Sequence, residues 1–338
     1  MQILGGELIR NATNQNAMGG TELLGTALHS RLDQELLKDF QIILSRPSHH
    51  ELDESKIRIC WLHDLPGDPE SDFLSNKSNH DNFHMYVFVS NWQMQGYINH
   101  YGLPWSKCAV LENAIVPIEA HTKPDPKEQI NLIYFSTPHR GLDILVTVFE
   151  ELVKHVDNIH LDVYSSFELY GWAERDKPFE PLYDVIRNHE NMTYHSSVSN
   201  EEIREALKKA HILAYPSTWL ETSCLVLIEA MSAGLVPVHP NYGALYETAA
   251  GNTCMYQYNE DKNRHASVFF GVLKSIIESY RAEPDFTTAK CATGKSFADI
   301  QFAWDQRQVE WSTLLSGLLQ KVTDRSLPDN TLTFNTGS

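Results

Sequence analysis

The chain has 338 residues, 42% hydrophobic and 21% charged, which is enough for two domains of ordinary size, each with its own core. A formal net charge of -17 argues against non-specific binding to nucleic acid, whose phosphates it would repel, and against an anionic membrane surface. Five scattered cysteines, Cys60, Cys108, Cys224, Cys254 and Cys291, show no Cys-x-x-Cys spacing and argue against a disulfide framework or a zinc site.

Residues 1–4 read as a first strand, and a polar loop over 5–18 leads to Gly19-Gly20-Thr21-Glu22, which opens a helix expected to run to about residue 37. Glycines there let backbone N–H groups approach an anion closely, and Thr21 can cap the helix. Glu7 follows only a short apolar run, so no signal peptide is expected, nor does any stretch approach the roughly 20 apolar residues of a membrane span; a cytoplasmic protein without stable membrane insertion is expected.

Strand patterns recur at 40–45, 57–62, 85–90 and 109–111, with a helix over 91–101. The Pro-rich, polar stretch 117–129, with Pro124 and Pro126, reads as an interdomain linker. A second series follows: strand 130–135, a turn at 136–141, a well-patterned helix from 142 to 155, then strands at 161–165, 192–195, 212–215 and 236–239. Residues 296–319 form an amphipathic helix or pair of helices carrying Phe302, Trp304, Val309 and Trp311, and a frayed tail follows. The fold class read from this alternation is α/β with two doubly wound, Rossmann-like domains, 1–122 and 123–298, a crossing helix over 299–320, and a flexible tail over 321–338.

The stretch from Ala214 to Val238 carries the chemistry. A short apolar run ends at Pro216, residues 217–222 supply turn and cap chemistry, and 224–233 carry helix formers up to Gly234. The first N–H groups of such a helix point, with the positive end of its dipole, at whatever occupies the loop, and a diphosphate suits that position. Carboxylates accept hydrogen bonds from hydroxyls but repel phosphate. Glu221 is therefore expected to face the hydroxyls of a sugar and Glu229 a ribose diol, with the diphosphate between them.

Glu221, seven residues, then Glu229, together with the preceding strand, the Pro-Ser turn and the Glu-Ala-Met-Ser-Ala-Gly helix end, resembles the signature of retaining GT-B glycosyltransferases of family 4, the glycosyl transferases group 1. The resemblance implies a GT-B fold, two Rossmann-like domains facing across a cleft, with the acceptor mainly on the N-terminal side and a nucleoside diphosphate sugar on the C-terminal side. It implies transfer to an acceptor hydroxyl, on a glycan or a soluble acceptor, with no separate general base. It carries donor-binding roles to Gly19, Gly20, Arg140, Glu221, Thr222, Ser223, Cys224, Leu225 and Glu229, and base recognition to the backbone around Ser197 and Val198.

Arg140, in Thr137-Pro-His-Arg140-Gly141, stands where the family places a Lys-Gly pair. A guanidinium holds phosphate oxygens in a planar fork and stays charged. The family's second, earlier cation is missing, so His139, a cation from elsewhere, or backbone N–H groups must serve; capping of the helix start is the structural alternative for Arg140. His63, after a strand and before the Pro66 turn, matches a family histidine that contacts the donor sugar, and Asp64 beside it is placed to orient His63 or to bind acceptor hydroxyls. Trp92 resembles an aromatic residue near the acceptor, with a place in the core as the alternative. Glu247, in Gly243-Ala-Leu-Tyr-Glu247, resembles the element that closes the site, with a solvent-facing carboxylate as the alternative. Arg140, Glu221 and His63 are thus the expected catalytic residues. No metal and no cofactor is expected. Competing readings are a nucleotide-sugar epimerase or hydrolase on the same fold, and a non-catalytic sugar-nucleotide or glycan-binding module.

Overall fold

The computed structural model describes residues 1–10 and 20–323, so Gly19 and nearly all of the expected tail lie outside the described residues. The N-terminal unit runs β1 (Gln2–Leu4), β2 (Glu7–Ile9), α1 (Gly20–Arg31), α2 (Gln34–Leu37), β3 (Phe40–Leu44), β4 (Ile57–Leu62), β5 (Met85–Phe88), α3 (Asn91–Tyr101) and β6 (Cys108–Val110). Its sheet has the order β2-β1-β3-β4-β5-β6. Strands β3 to β6 are parallel and nearly continuous in apolar residues, as strands covered on both faces must be.

Two expectations fail here for local reasons. The stretch expected to be one loop from residue 5 contains β2, which pairs antiparallel with β1, and β1 pairs antiparallel with β3. Gly5 and Gly6, at φ +57° and +89°, make the two-residue turn that such a hairpin requires. The helix expected to reach residue 37 stops at Arg31, because the Asp33 side chain accepts the Glu35 N–H and starts a new short helix.

The C-terminal unit runs β7 (Ile130–Phe135), α4 (Leu142–Leu152), β8 (Ile159–Tyr164), α5 (Glu180–Asn188), β9 (Met192–Tyr194), α6 (Asn200–Lys209), β10 (Ile212–Ala214), α7 (Leu225–Ser232), β11 (Val236–Pro240), α8 (Leu245–Ala249) and β12 (Cys254–Tyr256). All its strands are parallel, in the order β12-β11-β10-β7-β8-β9. From β7 the chain winds one way, to β8; from β10 it winds the other way, to β11. The reversal leaves a crevice at the carboxyl ends of β7 and β10, where open α/β sheets bind their ligands.

Three helices complete the described residues, α9 (Lys262–Ala282), α10 (Pro284–Gln301) and α11 (Trp304–Thr323). The stripe His265, Phe269, Leu273, Ile277 and Tyr280 buries one face of α9 on the C-terminal core. Backbone bonds from Ile115 N–H to the Phe302 carbonyl (2.8 Å) and from Trp304 N–H to the Ile115 carbonyl (3.2 Å) tie the two crossings of the chain together. Beyond that point Trp304, Trp311, Leu315 and Leu318 join Leu24, Leu28 and Trp61 in the N-terminal core, so α11 packs on the unit opposite the one it leaves. Trp311 meets Trp61 edge-on, at 5.0 Å between ring centroids, which buttresses the strand that carries His63.

Candidate active site

The turns after β7 and β10 touch at the crevice. Gly141, at φ +97°, closes the first turn, and a Cβ there would lie 2.1 Å from the Pro216 carbonyl oxygen of the second. This approach brings Arg140 to Glu221. The guanidinium donates from Nη1 to Oε1 at 2.8 Å and to Oε2 at 3.0 Å, and the Tyr215 hydroxyl donates to Oε1 at 2.6 Å. Glu221 is buried, and Arg140 is largely so. Burial works most strongly against the charge on Arg140, but Glu221 together with Tyr215 and Tyr170 outweighs it and holds the guanidinium protonated. The Glu221 backbone is fixed in turn by the 243–244 loop: Ala244 N–H donates to its carbonyl at 2.7 Å, and Gly243, at φ +61°, leaves no room for a Cβ, which would sit 2.6 Å from the Glu221 nitrogen and oxygen.

Helix α7 begins just after this carboxylate. Its N-cap residue, Cys224, provides no side-chain acceptor, so its first N–H groups face the crevice without a cap. The Glu229 side chain, in the second turn, has no hydrogen-bond or ion-pair partner among the described residues, and burial pushes its carboxyl up to about 7, partly opposed by Arg204. Half-buried and unpartnered, the Glu229 carboxylate is open to hydroxyl donors that the protein itself does not supply.

The N-terminal unit meets α7 from the other side. The Thr222 hydroxyl donates to the His63 carbonyl at 2.9 Å, the Asn113 amide reaches the Ser223 carbonyl at 3.5 Å, and a Cβ on Gly20 would lie 3.1 Å from Leu225 Cδ1. Both ring nitrogens of His63 lack partners, its ring lies 4.7 Å from that of Trp61, and burial lowers it to about 3, so the imidazole is neutral.

The fold is shared with known proteins. The fold is GT-B. Residues 118–262 match the sequence profile of the family Glycosyl transferases group 1, from the interdomain crossing to the start of α9. A glycosyltransferase from Rickettsia africae superposes with a TM-score of 0.64 at 15% identity, covering 93% of this chain and 84% of that one. HepE from Anabaena, solved in complex with UDP, gives 0.62 at 15% identity over 88% and 77%. Sucrose-phosphate synthase from Thermosynechococcus elongatus gives 0.59 at 14% identity over 78% and 68%. No curated protein sequence matches the chain.

Within this GT-B frame, Arg140 meets Glu221, His63 meets Thr222, and Gly20 meets Leu225, so these residues gather about the start of α7 with the buried Cys224 at its base, while Glu229 lies one turn farther along the same helix. Ser197 and Val198 lie apart, in the loop after β9, two strands from β7, with no hydrogen bond to these residues; Ser196 before them is held at φ +59°. Asp64 turns its backbone carbonyl to Gln93 and Tyr97, and burial raises its carboxyl.

Two expectations are corrected. His139, one of the three options for the second cation, is neutral in the folded protein: burial, with help from Arg140 and Arg175, lowers it to about 4, and its ring stacks on Phe167 at 5.2 Å. Glu247 does not face the cleft as a free carboxylate, because both its oxygens accept N–H groups from the start of α3, including that of Trp92. Tyr215 escaped the sequence reading, since a tyrosine closing an apolar strand reads as core. The turn glycines Gly141 and Gly243 were visible as glycines, but not as the points where two loops meet.

The raised Glu229 carboxyl gives a pH prediction. In the folded protein Glu229 keeps its proton up to about 7, so between its ordinary range and that value rising pH destabilises the fold. A ribose diol on Glu229, the contact proposed below, would favour the charged form. Nucleotide affinity, followed by calorimetry, is therefore expected to fall by about tenfold per pH unit below 7, and Glu229→Gln should flatten that profile.

Proposed function

We propose that this protein is a retaining glycosyltransferase that moves a sugar from a nucleoside diphosphate sugar to an acceptor hydroxyl on a glycan, without a metal. The observation that carries the reading is the sequence of groups along one crevice: the Arg140–Glu221–Tyr215 cluster, the uncapped start of α7, and the unpartnered Glu229. A diphosphate on the α7 N–H groups leaves Glu221 Oε2 for sugar hydroxyls and Glu229 for the ribose diol.

As the bond from the anomeric carbon to the leaving phosphate oxygen breaks, positive charge grows on the sugar and negative charge on the diphosphate. The α7 dipole and Arg140 answer the second charge; the buried Glu221 carboxylate and the neutral His63 imidazole flank the first. The acceptor oxygen attacks from the face the leaving group vacates, and the departing phosphate oxygen takes its proton, so the balance needs no separate base. Arg140 reaches the diphosphate as one half of an ion pair, which leaves the helix terminus as the main unpaired positive element.

Because HepE was solved with UDP and with UDP-glucose, uridine donors head the panel of nucleotide sugars to be tested by thermal shift and by slow donor hydrolysis. Stabilisation by a nucleoside diphosphate and hydrolysis of one of its sugars are expected; a panel without any stabilisation contradicts the proposal. Glu221→Ala should lose transfer while binding free nucleoside diphosphate at least as tightly as the parent, since its loss frees Arg140 for phosphate.

A further inference from the structure

The Glu247 carboxylate reaches across the cleft to the N-terminus of α3. Oε1 accepts from the Asn91 N–H at 2.7 Å and from the Asn91 side-chain amide at 2.8 Å; Oε2 accepts from the Trp92 N–H at 2.8 Å. Three hydrogen bonds to one carboxylate, at the positive end of an 11-residue helix, form a strong contact for a pair of surface groups. They do not duplicate the cap of that helix, since the Ser90 hydroxyl already accepts the Gln93 N–H.

Each end of this contact leads to the crevice. Glu247 stands in α8, which follows directly on the Gly243–Ala244 turn that binds the Glu221 backbone. On the other side, Gln93 in the same turn of α3 donates its side-chain amide to the carbonyls of Leu62 and Asp64, at 3.2 and 2.8 Å, on either side of His63. The carbonyl of His63 itself is held by Thr222. A short chain of hydrogen bonds thus runs from the Glu221 loop through α8, Glu247, α3 and Gln93 back to His63.

We propose that Glu247 is a positioning residue: it latches α3 to the C-terminal unit and so sets His63 against the Glu221 loop when the cleft is closed. The part of this inference that concerns turnover rests on the proposed transfer reaction; the latch itself does not. Covalently the units are joined only at the crossings near Ile115 and Phe302, so release of Glu247 frees the rim of the cleft farthest along α3 from the Thr222 contact.

Two substitutions test the latch from opposite sides. Glu247→Ala removes the acceptor. Asn91→Pro removes the N–H and the side-chain amide of Asn91, while the helix tolerates proline at its first position and Ser90, at φ -160° and ψ 158°, already has the extended backbone that a following proline demands. In the full-length protein, amide exchange around Asn91 and Trp92 is expected to quicken by about 10- to 100-fold for Glu247→Ala, and solution scattering should show a larger radius of gyration for both variants. Transfer kcat is expected to fall by a comparable factor, with the donor KM within about twofold, because the groups proposed to hold the diphosphate and ribose, the start of α7 and Glu229, lie on the C-terminal side. Unchanged exchange in Glu247→Ala and unchanged scattering in both overturn the latch, and an opened cleft with unchanged kcat overturns the positioning of His63. If the parent protein turns over no nucleotide sugar, the transfer reaction fails, while exchange and scattering still decide the latch.

Discussion

Replacing Arg140 with methionine is expected to destabilise the protein by about 3–5 kcal/mol and to abolish transfer. The cause is Glu221. In the native protein that carboxylate is buried, and its charge is answered by one guanidinium 2.8 Å away and one tyrosine hydroxyl. Methionine fills the space but leaves the carboxylate with Tyr215 alone, and an uncompensated buried charge costs far more than the intact pair contributes. The double variant Arg140→Met/Glu221→Gln separates this from packing. It should regain most of the lost stability in guanidinium melts, because no lone charge remains, yet stay inactive, because both groups proposed to flank the breaking bond are gone. A single variant as stable as the parent would show that the pair is not buried as the structure has it.

Gly141→Ala is expected to be nearly as damaging, at about 3 kcal/mol or more, with loss of nucleotide binding. Two costs add. An L-residue is strained at φ +97°, and the new methyl would lie 2.1 Å from the Pro216 carbonyl oxygen and 2.9 Å from its carbon. Neither atom belongs to a flexible side chain, so the two loops must separate, taking Arg140 away from Glu221. Gly251→Ala is the control, since Gly251 has a comparable φ of +81° with nothing within 4 Å of the added carbon. It should cost only the strain of the backbone, about 1 kcal/mol. Denaturation of the two variants side by side isolates the contact between the loops.

Much of this frame was legible in the chain because local signals agreed with one another. Helix α3 begins after the Ser90 cap and ends before Gly102, in the left-handed conformation at φ +73°, and its limits follow from those two residues. The strands of the second unit, and the loop and helix that carry Glu221 and Glu229, follow from apolar runs interrupted by proline and glycine. Helix α9 carries the same kind of signals, an Asp261 cap and a stripe at helical spacing, set among polar residues that mask them. The N-terminal hairpin was missed where Gly5-Gly6 looked like the start of a loop. What the sequence could not show are meetings of distant residues. Arg140 and Glu221 are 81 positions apart and are joined only because the sheet reverses between β7 and β10. Glu247 and Asn91 are 156 apart, on different units, and nothing local marks either one as half of a contact.

The central claim is that a diphosphate lies on the start of α7, between Glu221 and Glu229. A crystal structure with a bound nucleoside diphosphate tests it most directly. The account predicts phosphate oxygens within hydrogen-bond distance of the Leu225 and Val226 N–H groups and the ribose diol on the Glu229 carboxylate. A nucleotide seated elsewhere, or one whose ribose turns away from Glu229, would contradict it.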